Sequence, residues 1–505
     1  MADFFVKFTG KIDRRSPQDE GDPTSPVLRE NWLARDGRLS KPQGHEAVVT
    51  DIPAVARWGG RYNTVESSVI SPKTFVYTVD GKIHVLDDQE GTSTEVKNLL
   101  NENAYPKHVL FKTGFQNNLF FVDGVGLYSH DGNNDNTFLP VTLVNSDGDS
   151  VLPIDLIEHK DRLMVISKTS LFISKNLEPK VFDDANDSIQ IIVGSGKGIN
   201  LALGKIEDKL YIFTTEGIFV LDGDVISALA TTFEVRLVED RKIIAGRSAV
   251  GVEQAIVFLA DDYELWSWDG LNSQMLSFEF KLKDFINTYS DKVERAVAVY
   301  HENYYKLSFV EKGSSGENNL EIWWDAFENK IDIVRSRNVS YYMSTDSTIE
   351  NEYMEMGKSD SNTIVRDNRG ANFNGVAIPS RVRSRDLVLK KGWNVRFDAF
   401  YLEFMPTGIR NINILYILDG RSSNPTGSGA DWTELLRGET KTLGMIEIKN
   451  QAQASGRVKP KIKYSRGESI AFEIIEETLD LKADLVGIGV DFTVKQKSKG
   501  TKIGA

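Results

Sequence analysis

One hairpin pattern recurs along the chain, and its spacing constrains the fold more than any other feature. The copies read Tyr77-Thr-Val-Asp-Gly-Lys-Ile83-His84, Phe120-Phe-Val-Asp-Gly-Val-Gly-Leu127-Tyr128, Val165-Ile-Ser-Lys-Thr-Ser-Leu171-Phe172, Ile212-Phe-Thr-Thr-Glu-Gly-Ile218-Phe219 and Val257-Phe-Leu-Ala-Asp-Asp-Tyr-Glu-Leu265-Trp266. A longer sixth copy runs from Tyr304 to Phe309 and from Leu320 to Trp324, and a weaker seventh lies between Tyr353 and Val365. The aliphatic positions Ile83, Leu127, Leu171, Ile218, Leu265, Ile322 and Ile364 are 44, 44, 47, 47, 57 and 42 residues apart.

A run of β-branched and aromatic residues that meets another across Asp-Gly, Glu-Gly or Asp-Asp is a β-hairpin. A lone hairpin is marginal in water, so each copy needs neighbours to cover it. A period in the forties supplies four short strands, the blade of a radial β array. The expected fold is therefore all-β: a β-propeller of six or seven blades over residues 46–375.

Two segments lie outside the repeat. Residues 1–45 read as an arm with a landing strand: an alternating stretch from Phe4 to Thr9, a polar Pro-punctuated stretch from Arg14 to Pro26, and a turn-rich segment from Asn31 to Gly44. Residues 376–505 carry strand patterns at 380–389, 397–404, 412–418, 445–449, 458–464, 471–476 and 486–494, a spacing that suits a small antiparallel β-sandwich-like domain. One amphipathic helix is expected, because Leu282, Phe285, Ile286, Tyr289 and Val293 recur at helical offsets.

Composition narrows the function classes. The chain contains no cysteine, which excludes disulfides, thiolate metal sites and a cysteine nucleophile. No apolar run approaches the roughly 18 to 20 residues needed to span a bilayer, so no membrane span is expected. The formal net charge of −13 argues against general nucleic-acid binding, which needs a basic surface.

Catalytic and metal motifs do not stand out, and neither a catalytic residue nor a bound cofactor or metal is expected. His45, His84, His108, His130, His159 and His301 never fall at zinc-ligand spacing. The segment Gly194-Ser-Gly-Lys-Gly198 lacks the spacing of a phosphate loop. The acidic loops Asp131–Asn136 and Asn145–Asp149 offer oxygen ligands but miss the glycine and the bidentate glutamate of a helix-loop-helix calcium site, and they read as turns. Propeller glycosidases need paired carboxylates, which cannot be singled out among 73 acids.

Two features point to surfaces. Arg381, Arg383 and Arg385 alternate, so on a strand they share one face, with Lys390, Lys391 and Arg396 close behind. Such a stripe suits an acidic partner or DNA; a solvated strand face is the alternative. Trp323 and Trp324 are consecutive, so one faces the core while the other needs cover from a subunit contact or a neighbouring blade, and Trp324 is the candidate contact.

The arrangement resembles the tail nozzle, or tail-stabilisation, proteins of short-tailed bacteriophages. The resemblance rests on an early strand, then Asn31, Arg35, Asp36, Gly37, Leu39, Lys41, Pro42 and Gly44, with Gln43 departing from the pattern, then the hairpin repeats. It extends through Phe285-Ile-Asn287, Ala296–Tyr300, Tyr304–Phe309, Ala399–Phe404 and Ile414–Gly420. It implies a structural virion protein in the tail, assembled in the host cytoplasm. Six copies would form a ring below the portal and adaptor (head-to-tail connector), close the DNA channel and pass the genome during ejection. Tail fibres or a tail needle would attach outside, and phage DNA would slide through without specific binding. No enzyme activity is implied. A polysaccharide-active propeller, a hydrolase or lyase, is the competing reading, and a plain envelope scaffold a third.

Overall fold

The structure is a computed structural model. It describes residues 2–13, 22–66, 69–87, 92–98, 106–113, 116–130, 138–183 and 188–388, apart from 224, 228–229, 232, 315–316 and 346–352. Beyond these it describes 393–404, 410–418, 440–448, 461–467, 469–476 and 484–497.

The repeated hairpin is the centre of each sheet. The pairs Tyr77↔Ile83, Val122↔Leu127, Ile166↔Leu171, Phe213↔Ile218 and Leu259↔Leu265 close successive hairpins, and Phe309↔Leu320 and Gly357↔Ile364 do the same in the two later copies. A further strand flanks each hairpin on either side. The first sheet joins Ala56–Glu66, Val69–Thr78, Lys82–Asp87 and Thr92–Asn98, all antiparallel. Four-stranded sheets follow over 107–141, 155–192, 200–239 and 250–275. The next begins with Ser290–His301, Tyr304–Glu311, Leu320–Asp325 and Lys330–Val334. The last joins Val339–Thr345, Tyr353–Lys358 and Ile364–Asp367 to His45–Val49, so an N-terminal strand completes it.

Packing explains why the sheets assemble radially. Trp58, Phe75 and Ile83 of the first sheet share a core cluster with Leu119, Phe121 and Phe138 of the second. Comparable clusters join each sheet to the next around the chain. Tyr341, Met343 and Ile364 of the last sheet meet Ala56, Val76 and Leu86 of the first, which closes the circle. The seven repeat aliphatics are at most 2 % exposed, because each hairpin face is covered by the adjacent sheet. The chain is an all-β protein of the propeller type.

The expected helix is shorter than its periodicity. It spans Leu282–Tyr289 and buries Leu282, Phe285 and Ile286; Ser290 is already extended, so Val293 belongs to the following strand. Strand alternation with the partner Tyr304–Glu311 overrides one more helical turn there.

The N-terminal arm is paired at several points along its described length. Ala2–Val6 pairs with Asp484–Lys497, and Arg38–Ser40 pairs with the same strand. Leu28–Glu30 lies between Lys330–Val334 and Ser380–Arg383, running parallel to the first and antiparallel to the second. A ten-stranded sheet therefore continues from residues 290–334 through the arm into the C-terminal strands, ending at Arg410–Leu418 and Thr440–Ile448. Arg29, 0 % exposed, ties the arm down by pairing with Asp332 and donating to the carbonyls of Phe8 and Gly10.

A turn in the third sheet gives a direct test of local strain. Lys160 (φ 51°) and Asp161 (φ 57°) both take the left-handed conformation that a two-residue type I′ hairpin demands. Asp161→Gly relieves a side-chain clash at that φ and is expected to raise unfolding free energy by about 0.5–1 kcal/mol. Urea denaturation of the two proteins checks this, and unchanged stability would contradict it.

Candidate functional site at the propeller axis

The axis is where a propeller brings non-adjacent sheets together, and polar residues at the starts of the first strands meet there. Lys107 Nζ lies 2.7 Å from Asp155 Oδ2, linking the second sheet to the third. The same carboxylate oxygen accepts from the Leu203 backbone N–H at 2.7 Å, reaching the fourth. Lys107 Nζ also donates to the Gly246 carbonyl at 3.3 Å, at the entry to the fifth sheet. Arg57 of the first sheet pairs with Glu317 at 2.7 Å, and Arg247 Nη2 donates to the Arg57 carbonyl at 3.3 Å. Ser340 of the last sheet donates to the Ala56 carbonyl at 2.6 Å.

These contacts link sheets that are not neighbours around the circle. Asp155 and Glu317 each face a cation, and both pairs are largely removed from solvent. Gly246 is needed for the close approach: a Cβ there would sit 2.1 Å from the Leu201 carbonyl oxygen. His108, beside this cluster, accepts a 2.7 Å hydrogen bond from Trp58 Nε1 on Nδ1, which places its proton on Nε2. Among the described residues, no group of three or more His, Asp or Glu side chains is placed to hold a metal ion. A shallow crevice lies away from the axis, lined by Lys11, Ile12, Phe278, Phe280, Asn329 and Ile331.

A second ionic cluster is fully buried between the last two sheets. Asp367 receives Arg337 and, at 2.7 Å, Lys306; Arg337 also reaches Glu321 at 3.0 Å. Trp323 Nε1 and Tyr342 Oη both donate to Glu321 at 2.9 Å. Burial opposes the charge on Asp367, but Arg337 and Lys306 outweigh it and hold its carboxyl well below the usual carboxylate range. Burial lowers Lys306 from its ordinary value, an effect that Asp367 only partly offsets.

The expected basic stripe is not formed as one face. The strand ends at Arg383, and Arg385 lies beyond it, 1 % exposed, paired with Asp13 and donating to the Ser25 carbonyl. Arg383 is 5 % exposed, and Arg381 pairs with Glu473 across the sheet. Lys390 and Lys391 lie outside the described residues, as does the acidic loop 131–136. The stripe is lost because the arm and Ser469–Glu476 flank this strand: Arg383 and Arg385 are buried, and the partly exposed Arg381 is engaged by Glu473. Trp324 is also covered within the chain: it packs into the core between the fifth and sixth sheets and donates to Asn329 at 2.9 Å. Trp323 faces the other way, with Lys306 4.3 Å from its ring centre.

Other motifs are absorbed locally. Asn145 Oδ1 accepts from the backbone of Asp147 and Asp149, a side-chain-capped turn. The loop at Ser195 is held by its backbone N–H and hydroxyl on Glu216. The axial residues Arg57, Lys107 and Asp155 were not singled out in the sequence, although they recur at intervals of 50 and 48, close to the hairpin period.

No family model matches the chain, and no curated protein matches it. Solved structures give distant likenesses. A computationally designed protein, Ika8, is 12% identical over 64% of this chain and all of its own, with a TM-score of 0.37. A catalytically inactive virginiamycin B lyase from Staphylococcus aureus, solved with quinupristin, is 11% identical over 61% of this chain and 95% of its own, with a TM-score of 0.38. BBS1N in complex with ARL6DN is 11% identical over 68% of this chain and all of its own, with a TM-score of 0.41. At these scores the likenesses do not bear on function.

Proposed function

We propose that the chain is a structural virion protein: the ring-forming tail nozzle of a short-tailed phage, docking below the portal-adaptor complex, closing the DNA channel and passing the genome during ejection. In this reading the propeller has seven blades, the last closed by His45–Val49, and residues 376–505 form a C-terminal β domain completed by the arm. The observation that carries the reading is the bridged axis. Lys107 is paired with Asp155 there and Arg57 with Glu317, so these four charged groups hold sheets together and are not turned toward a substrate. DNA would pass through a lumen enclosed by six copies, not through one propeller.

Charge supports assembly. Residues 376–505 hold 21 Lys and Arg against 15 Asp and Glu, whereas residues 1–375 hold 39 against 58. Opposite net charges on the two parts favour head-to-tail contact between copies, and the acidic majority disfavours adhesion to DNA.

The test is the mass of the purified protein in solution, alone and with portal-adaptor complexes. A ring of about six subunits, a closed heterologous assembly, is the expected result. A monomer that ignores the portal overturns it and favours the alternative, a polysaccharide-active hydrolase or lyase, which a substrate screen would then detect.

A further inference from the structure

The ring of sheets is closed by one short N-terminal strand, and a buried histidine opens that strand. His45 pairs with Asp367 in the ladder, its N–H donates to the Asn372 carbonyl at 3.0 Å, and its carbonyl accepts from Asn374 at 3.0 Å. The imidazole stacks on Phe373 with ring centres 5.0 Å apart and planes 7° from parallel. The residue is 1 % exposed, and neither ring nitrogen has a hydrogen-bond partner among the described residues.

Every element packed against the ring has a known charge. The segment 335–338 presents Arg337, the strand Tyr353–Lys358 presents Lys358, and the strand Ile364–Asp367 presents Asp367. Asn372, Phe373 and Asn374 are neutral. Asp367, the carboxylate that acts on the imidazole, is already engaged by Arg337 and Lys306. An added proton would therefore meet two cations and a low-dielectric wall.

We propose that His45–Val49 is a proton-operated latch: with His45 neutral it completes the last sheet and seals the seam against the first, and a proton on the His45 ring drives it off. Burial, reinforced by Arg337 and Lys358, lowers His45 from 6.5 to about 3. The sign follows from linkage: a histidine depressed in the folded state leaves the latch closed above about pH 6.5, and closure weakens as pH falls toward 3. Ordinary aspartate near 3.8 titrates below most of that window. The strands Ala2–Val6 and Leu28–Glu30 are held elsewhere, so release is local.

Hydrogen exchange of the full chain between pH 7.5 and 4.5, corrected for intrinsic rates, tests the latch. Protection over 45–49 and 364–367 is expected to fall about tenfold per pH unit below 6.5, while the hairpin 116–130 changes little. His45→Gln should flatten the slope. His130, buried on the second sheet beside Phe75 and Phe138 and away from the latch strand, is the control: His130→Gln should leave the slope intact. Equal slopes for latch and hairpin in the wild-type protein overturn the proposal even if neither variant folds, and so does a slope removed by His130→Gln alone.

Discussion

Alanine at Arg337 is expected to lower the unfolding free energy by about 3–5 kcal/mol. The guanidinium is 0 % exposed and serves two buried carboxylates, Asp367 and Glu321, on different sheets. Truncation leaves Asp367 with Lys306 and leaves Glu321 with neutral donors from Trp323 and Tyr342. The loss arises from stranding charge in a low-dielectric interior, so it should far exceed that of a comparable surface residue. Arg335 provides the comparison: it is a quarter exposed and pairs with Glu30 and Glu311, and Arg335→Ala should cost about 1 kcal/mol or less. Because its cations hold Asp367 below the ordinary 3.8, its contribution is present above that pH and lost as pH falls beneath it. Urea denaturation of both variants at pH 7.5 decides the matter; equal losses would show that the buried cluster carries no special weight.

The hairpins were legible because their signal is local. Turn residues such as Asp80-Gly81 and Glu216-Gly217 sit between apolar runs, and in the first five copies the pairing that closes the hairpin spans only six or seven residues. Flanking strands are weaker signals: Leu139–Val141 contains a proline, and Ile189–Ile192 is only four residues long with no fully buried position. The role of the arm was not legible at all. Arg385 is set by Asp13 and Ser25, and Asn31 by Pro379 and Arg335, partners more than 300 residues away that no window of sequence contains. The same reason misplaced the arginine stripe. Alternation gave the correct period for Arg381 and Arg383, but which face is solvent depends on Leu28–Glu30 arriving beside them. The axial cluster lay between these extremes, with a period visible in the sequence and a geometry set only by ring closure.

Removing residues 1–49 is expected to abolish cooperative folding, the largest effect of any change considered. The deletion strips His45–Val49 from Ile364–Asp367 and leaves an open edge at the seam between the last and first sheets. It removes Leu28–Glu30 from the middle of the ten-stranded sheet, so Lys330–Val334 and Ser380–Arg383 each lose one of two partners and the sheet is cut in two. It also takes away Arg29 and Lys41, the cations paired with the buried carboxylates of Asp332 and Glu476, at about 3–5 kcal/mol each. Burial already raises Asp332 above the ordinary carboxylate value even with Arg29 beside it. Trp32, 0 % exposed, leaves a cavity as well. These losses together exceed the roughly 5–15 kcal/mol that holds a typical folded chain together. The truncated chain should therefore be insoluble or melt without a sharp transition in calorimetry, and co-expression with residues 1–49 should restore soluble protein. A truncated chain that melts cooperatively near the full-length temperature would mean that the arm merely decorates a propeller already closed by its own packing.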